Sequence, residues 1–504
     1  MNFATAIRED MTHTYTENGA RAKNTSGDAC LDLFSTGGSL RDSDLSRKQR
    51  LLMDAFNEDA LTATRILFYL RDIRGGLGER DTFRQMITHL ANKHPDVISK
   101  NLWAIPFYGR FDDLYALIST PCEEDMWKFM RAQFENDWDC YLDDAPISLM
   151  AKWIRCGNES SKKSRARGIL TANKLGFTVY EFKRKIARLR KYLDVVESKM
   201  STNRWDEINY SHVPSRAGVI YRNAFNKHDA LRYQEFISKV SKGEAKINTS
   251  NIYPYDIVSK VWRSMLDDDS RYYFDIEPKE VDTTEHDALC AMWDNLPNYV
   301  PNDSNAIVIA DTSGSMMCSG GRPFYTAVAL AVYFAQRNTG AYHNLWMSFS
   351  HKPKFHSIKG DDIFEVIKNF DSSDWGLNTD MQAAFTKVLD VAIENDVPVD
   401  QIVKSLIVIS DMEIDAGCGT SWSFYDDMKQ KYAEHGYEIP NVVFWNVNSR
   451  HDVFHADKSR KGVQLVSGQA PSTFTSLMSS IGLTPMEYMY KVINSERYEN
   501  IWID

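Results

Sequence analysis

Three oxygen-bearing residues alternate along the stretch Asp311-Thr312-Ser313-Gly314-Ser315-Met316. One carboxylate and two hydroxyls on alternate positions of a tight Gly/Ser loop can point at one hard cation. Oxygen donors of this kind suit Mg²⁺, Mn²⁺ or Ca²⁺. Thr379 adds a hydroxyl just before a helical run, and Asp411 a carboxylate directly after an apolar one, Ser405 to Ser410. The same residue types also serve as ordinary caps where a strand turns into a helix. The expectation is a divalent-cation site, Mg²⁺ first, held by Asp311, Ser313, Ser315, Thr379 and Asp411. The three hydroxyls would be direct ligands and the two carboxylates mostly one water removed, with a position open to an acidic group.

A second chemistry is available in residues 151–200, which hold 14 Lys/Arg against 4 Asp/Glu in a chain of net charge −10. Lys152, Arg155, Lys162, Lys163, Arg165 and Arg167 lead into one helical run, and Lys183, Arg184, Arg188 and Lys191 lie on the next. Arg184, Arg188 and Lys191 repeat at i, i+4 and i+7, one helix face, leaving Ile186, Leu189 and Tyr192 to meet a core. A charge run is by default a solvated face. These ten cations, with so few acidic neighbours, read instead as a footprint for a polyanion, RNA being the expected partner. Phe177, Tyr180 and Phe182 interleave with them; any that are exposed could stack bases, although at least two of the three are expected in the core. Residues 301–504, with 16 Lys/Arg against 25 Asp/Glu, offer no such surface.

Other chemistry is thinly represented. There is no phosphate-binding Gly-x4-Gly-Lys-Ser/Thr loop, no Gly-x-Ser-x-Gly elbow and no His-Glu-x-x-His pair. His351 with His356, and His451 with His455, have ligand-like spacing but no third ligand in sequence. Seven scattered cysteines (30, 122, 140, 156, 290, 318, 418) form no Cys-x-x-Cys pair, which argues for a reducing cytoplasm. The start of the chain lacks the features of a signal peptide, and no apolar run approaches the roughly 20 residues of a membrane helix. The expectation is a cytoplasmic binding protein, not an enzyme.

Two kinds of scaffold must position these residues. Residues 1–45 are polar and read as an extended, partly ordered arm. From 46 to 265 the apolar spacing is helical throughout, with short turns, which predicts an all-α, irregular helical-repeat array of HEAT-like type. Gly75, Gly76 and Gly78 follow one helix end and read as left-handed turn positions. Residues 266–303 read as a linker containing one helix, 284–294. From 304 to 504 apolar strands alternate with helices, which predicts a mostly parallel sheet in a Rossmann-like α/β domain. Asp311 and Asp411 each end a strand there, where open α/β sheets bind their ligands.

The order Asp-x-Ser-x-Ser, then Thr, then a strand-terminal Asp resembles the metal-ion-dependent adhesion site of von Willebrand A domains. A helical array followed by such a domain resembles the Ro autoantigen family, TROVE plus von Willebrand A. It looks closer still to an uncharacterised family of Ro-like proteins. The likeness is carried by FYLRDIRGGLGERDTFR (68–84), YGRFDDLYAL (108–117), MAKWIRCGNESSKK (150–163), VVESKMSTNRWDEINYSHVPSRAGVIYRNAF (195–225) and IVIADTSGSM (307–316). The resemblance implies a helical ring that binds structured or misfolded RNA, closed by the adhesion-type domain. It carries over Asp311, Ser313, Ser315, Thr379 and Asp411, but no RNA-contact residue. Two other function classes stay open: a scaffold whose metal site captures an acidic partner without RNA, and a metal-assisted nuclease or phosphatase.

Overall fold

The computed structural model describes residues 10–265, 281–350, 352–371, 379–415 and 424–503, together with 3 and 7. Helices dominate up to residue 294, and a six-stranded sheet follows. The strands are β1 (His13–Tyr15), β2 (Arg21–Lys23), β3 (Ala306–Ala310), β4 (Leu345–Ser348), β5 (Phe355–Ser357), β6 (Ser405–Ser410), β7 (Asn441–Asn446) and β8 (Val463–Ser467). β1 and β2 form a separate antiparallel hairpin. The large sheet runs β5-β4-β3-β6-β7-β8. All its pairs are parallel except β4 with β5 at one edge. β3 and β6 are buried along their whole length, as their continuous apolar runs require in a sheet covered on both faces. The chain steps from β3 to β4 on one side and returns to β6 on the other. The topological switch point therefore falls between β3 and β6.

The helical part and the sheet share one continuous apolar core, which runs from Cys30 to Ile501. A smaller cluster around Val196, Tyr210, Phe225, Tyr233 and Ile237 serves the outer helices. Segments near both ends of the described chain, from Cys30 and up to Ile501, enter the shared core. Ala29–Thr36 is a helix capped by Asp28, whose side chain accepts from the Leu31 amide at 3.0 Å. Leu31, Leu33 and Phe34 are buried, and the following turn meets β8 through Gly38 N–H to Ser467 Oγ at 2.9 Å. An extended polar arm was the expectation for this stretch. Ser35 and Thr36 are buried because they bond to their own helix: Ser35 Oγ to Leu31 O and Thr36 Oγ1 to Asp32 O. At the other end, Asn101 Nδ2 donates to Trp502 O at 2.6 Å, which ties the last residues to the helical part.

The span 266–303 holds a packed helix, Thr283–Asp294, with Leu289, Met292 and Trp293 buried and Trp293 Nε1 bonded to Gln336 at 2.9 Å. Residues 266–280 of the expected linker lie outside the described residues. Of the three turn glycines, only Gly78 has a left-handed backbone, with φ of +68°. Gly76 is required for a different reason: a Cβ there would lie 2.1 Å from the Tyr69 carbonyl oxygen. No helix among the described residues is long and apolar enough to cross a membrane.

Candidate metal centre and basic surface

β3 and β6 pair with Ala310 beside Ile409, so Asp311 and Ser410 leave the sheet side by side and Asp411 follows one residue later. The Asp311 amide donates to Ile409 O at 3.0 Å, which continues the ladder. Ser410 Oγ donates to Asp311 Oδ2 at 2.6 Å, and Ser313 N–H donates to Oδ1 at 2.9 Å. The Ser313 and Ser315 hydroxyls are 3.0 Å apart. Ser315 lies near enough to Asp411 to lower the pKa of its carboxyl, whose Oδ1 accepts the Glu413 amide at 3.1 Å. Asp311, Ser313, Ser315 and Asp411 thus form one connected group at the switch point.

Thr379 reaches the same loop by another route. Its hydroxyl donates to Glu413 O at 3.3 Å and accepts the Asp415 amide at 3.1 Å. A hydroxyl has two acceptor lone pairs, so one remains for a further partner. Trp375 to Asn378, just before it, lie outside the described residues.

Burial pushes the Asp311 carboxyl up to about 7; the nearby Asp411 adds to the rise, and the bonds from Ser410 and Ser313 oppose it. Asp411 is raised by burial as well, against the Glu413 amide and Arg450, which hold it down. Two carboxylates in a dry site repel, and each holds a proton more readily than a free carboxyl does. A divalent cation would relieve that repulsion, and the donors on hand are the carboxylate and hydroxyl oxygens that a hard cation takes. The residues present therefore fit an ion of the Mg²⁺ class.

Glu413, Arg450 and Glu17 were not found from sequence, and the sequence spacing pairs His451 with His455 instead. Glu413 is buried beside Asp411. Arg450, beyond the end of β7, places Nη2 3.1 Å from Asp411 Oδ2 and Nη1 2.7 Å from Glu17 Oε2. His451 lies between Glu413 and Glu17, its Nδ1 2.9 Å from Glu413 Oε1 and its Nε2 3.6 Å from Glu17 Oε1. Only the acidic alternation Asp411, Glu413, Asp415 was a signal in the sequence. His455 does not join its neighbour His451: it is half-buried against Phe444 and contacts Met412 O at 3.0 Å, and desolvation lowers its pKa. His351 lies outside the described residues, and His356 stacks on Trp346. Elsewhere His286, Cys290 and Asp362 come within reach of one ion. Burial pushes the Cys290 thiol up to about 12, far from the thiolate that a metal takes.

The basic candidates lie on and before two helices, Lys162–Lys174 and Val179–Tyr192. Thr178 and Glu181 form a capping box at the start of the second. Its buried face is Phe182, Ile186 and Leu189, with Tyr192 half-buried. Lys162, Lys163, Arg165, Arg184, Arg188 and Lys191 are exposed, and Lys152, Arg155, Arg167 and Lys183 half-buried. Among the described residues none of the ten has an Asp or Glu within ion-pairing distance, while their neighbours Lys174 and Lys199 do. Arg167 lies over the Tyr115 ring and Arg184 over Tyr180, at 5.0 and 5.7 Å. Of the three aromatics, Phe182 is core, Phe177 packs on Phe134, and Tyr180 is 69% exposed.

Comparison with known proteins decides the family. A model described as a domain of unknown function, DUF2828, matches residues 16–130 and 143–299, more than half of the chain. The chain belongs to the DUF2828 family. A second model, described as a domain of unknown function, DUF7788, matches residues 305–499 and so takes in the whole large sheet of this DUF2828 chain. An uncharacterized protein of Acanthamoeba polyphaga mimivirus is 28% identical over 524 aligned positions, covering 95% of this chain and 87% of its own length. Among solved structures, the crystal structure of Deinococcus radiodurans RO (RSR) protein aligns with a TM-score of 0.40 and 14% identity, covering 92% of this chain and 95% of that one.

Proposed function

We propose that this chain is a cytoplasmic RNA-binding protein that acts by binding rather than by catalysis. Its helical part takes single-stranded or end-frayed RNA on the surface that carries Lys152 to Lys191. Its α/β part holds Mg²⁺, with Mn²⁺ or Ca²⁺ as substitutes, through Asp311, Ser313, Ser315, Thr379 and Asp411. The observation that carries the RNA reading is the set of ten cations with, among the described residues, no carboxylate in ion-pairing range, in a chain of net charge −10. Like charges left together on one surface repel, and phosphates are the matching counter-charge. Tyr180, exposed beside Arg184, adds a face on which a base can stack. The resemblance to the Ro-like proteins points to the same class of ligand.

The test is titration of a labelled single-stranded RNA at several salt concentrations. With about five phosphates engaged, log affinity falls with log salt at a slope of about −3.5. Replacing Lys162, Lys163, Arg165 and Arg167 with Gln weakens binding and flattens the slope, whereas Asp311→Ala leaves RNA affinity unchanged. Binding that is absent, or insensitive to the four substitutions, rejects the assignment.

The crowded Asp311 and Asp411 carboxylates favour a second role, metal-dependent capture of an acidic group from a partner. The bound cation would supply a Lewis-acidic point for that group's oxygen. Calorimetry with Mg²⁺ on the wild type and Asp311→Ala tests it, since equal binding by both excludes the site. Turnover of a nucleic acid or phosphate ester that is lost in Asp311→Ala would identify a nuclease or phosphatase instead.

A further inference from the structure

The guanidinium of Arg450 holds two carboxylates from distant parts of the chain. One is Asp411, in the candidate metal centre, and the other is Glu17, in the turn between β1 and β2. That hairpin lies along the loop after β6. Thr16 Oγ1 donates to Ile414 O at 2.6 Å, Asn18 Nδ2 to Glu413 O at 2.7 Å, and the Glu17 amide to Glu413 Oε2 at 2.7 Å. Gly19 forms a bridge to Asp415, and Lys23 exchanges both backbone bonds with Phe454 at 2.9 and 2.8 Å. Asp415, in the same loop, also fixes Thr379. Asp411 therefore touches the arginine, and residues 413–415, which hold Thr379, touch the hairpin that the arginine anchors.

Asp311, Asp411, Glu413 and Glu17 bring four carboxylates together with one permanent cation, Arg450. A metal ion at Asp311 and Asp411 would supply the positive charge that Arg450 now gives Asp411. Two cations on one buried carboxylate repel strongly where the dielectric is low. We propose that Arg450 is a tethered counter-cation that competes with the metal for Asp411, and that the hairpin carrying Glu17 is the strap it releases. Metal binding displaces the guanidinium and weakens the hold on Glu17, and the hairpin lifts from residues 413–415. The coupling is reciprocal, so docking of the hairpin lowers metal affinity by the same factor. The inference rests on the metal-site reading above.

The experiment pairs calorimetry with hydrogen exchange on the full chain, using Mg²⁺ as the probe. Arg450→Gln removes the competitor and is expected to raise Mg²⁺ affinity about tenfold. Glu17→Gln frees the hairpin from Arg450 and, by the same linkage, is also expected to raise it, though by less. Gains in Mg²⁺ affinity separate competition from a general loss of fold, which would lower it. In the wild type, Mg²⁺ is expected to speed amide exchange across residues 13–23. In Arg450→Gln the same amides exchange fast with or without Mg²⁺. Wild-type binding with unchanged exchange at 13–23, or Arg450→Gln binding no tighter, overturns the strap while leaving the metal site standing. No Mg²⁺ binding in any of the three proteins overturns the metal-site reading and the strap with it.

Discussion

Arg497 Nη2 donates to the Asp72 carboxylate at 2.7 Å across 425 residues of sequence. Asp72 is wholly buried, and it also takes the Tyr498 hydroxyl at 2.9 Å and the Arg74 and Gly75 amides at 2.9 and 3.1 Å. Four residues from two distant parts of the chain, Arg497 through both Nε and Nη2, make this carboxylate the clasp between the helical part and the C-terminal segment.

Removing one side of a buried ion pair leaves the other charge uncompensated. Arg497→Ala is expected to destabilise the protein by about 3 kcal/mol. Urea unfolding reads this as a lowered midpoint, and a midpoint equal to wild type would show that the clasp is not part of the cooperative core.

Asp32 gives a pH dependence of known sign. Burial pushes its carboxyl up to about 6 from the ordinary 3.8, against bonds from Ser26 and Thr25. The folded state holds this proton more tightly than the unfolded chain does. The contribution is fully present below the unfolded pKa and is lost as pH rises through about 6. Asn at this position can accept from the Ser26 amide and donate to Thr25 without ionising. Asp32→Asn is therefore expected to be more stable than wild type at pH 8, by on the order of 2 kcal/mol, and the gap should close near pH 4. Thermal unfolding at the two pH values measures it.

Two glycines should behave differently on replacement by Ala. At Gly76 the new Cβ would meet the Tyr69 carbonyl at 2.1 Å, so the turn must move. Gly176 has φ of +84° but open space around it, so only the backbone strain of about 1 kcal/mol applies. Gly76→Ala is expected to give little folded protein, and Gly176→Ala a soluble chain with a slightly lowered melting temperature. Equal behaviour would contradict the packing of the 72–79 turn.

Tyr180 is the aromatic placed to stack a base. Tyr180→Ala is expected to weaken single-stranded RNA binding by about 1–3 kcal/mol without changing the salt slope. A changed slope with unchanged affinity at low salt would assign the residue to charge placement instead.

The strands around the centre were legible because their runs are continuously apolar: residues 305–310 and 405–410 were expected, and β3 and β6 fall within them. The alternating oxygen residues after β3 were legible for the same reason, since a polar loop stands out after a buried strand. Arg450 and Glu17 were not. Their pairing depends on how a loop after β7 meets a hairpin more than 400 residues earlier, and no local pattern encodes that meeting. The N-terminal helix was misread because its buried Ser35 and Thr36 satisfy themselves on their own backbone, so their polarity in sequence says nothing of exposure. The Arg- and Gly-rich stretches 68–84 and 108–117 fold into buried salt bridges. Arg71 and Arg84 both meet Asp113 at 2.7 Å, so their positive charge is spent inside the fold.

The Asp72 clasp also bears on how the chain is made. Residues synthesised first wait for a partner 425 positions later. At roughly 5–20 residues per second, that wait is roughly 20–90 s. Through it the helical half stands on the ribosome with a buried carboxylate unmatched and the face for Tyr498 and Ile501 uncovered. Nascent helices in that state are natural clients for chaperones, and the fold closes only when the last segment of the sheet half threads back to the beginning.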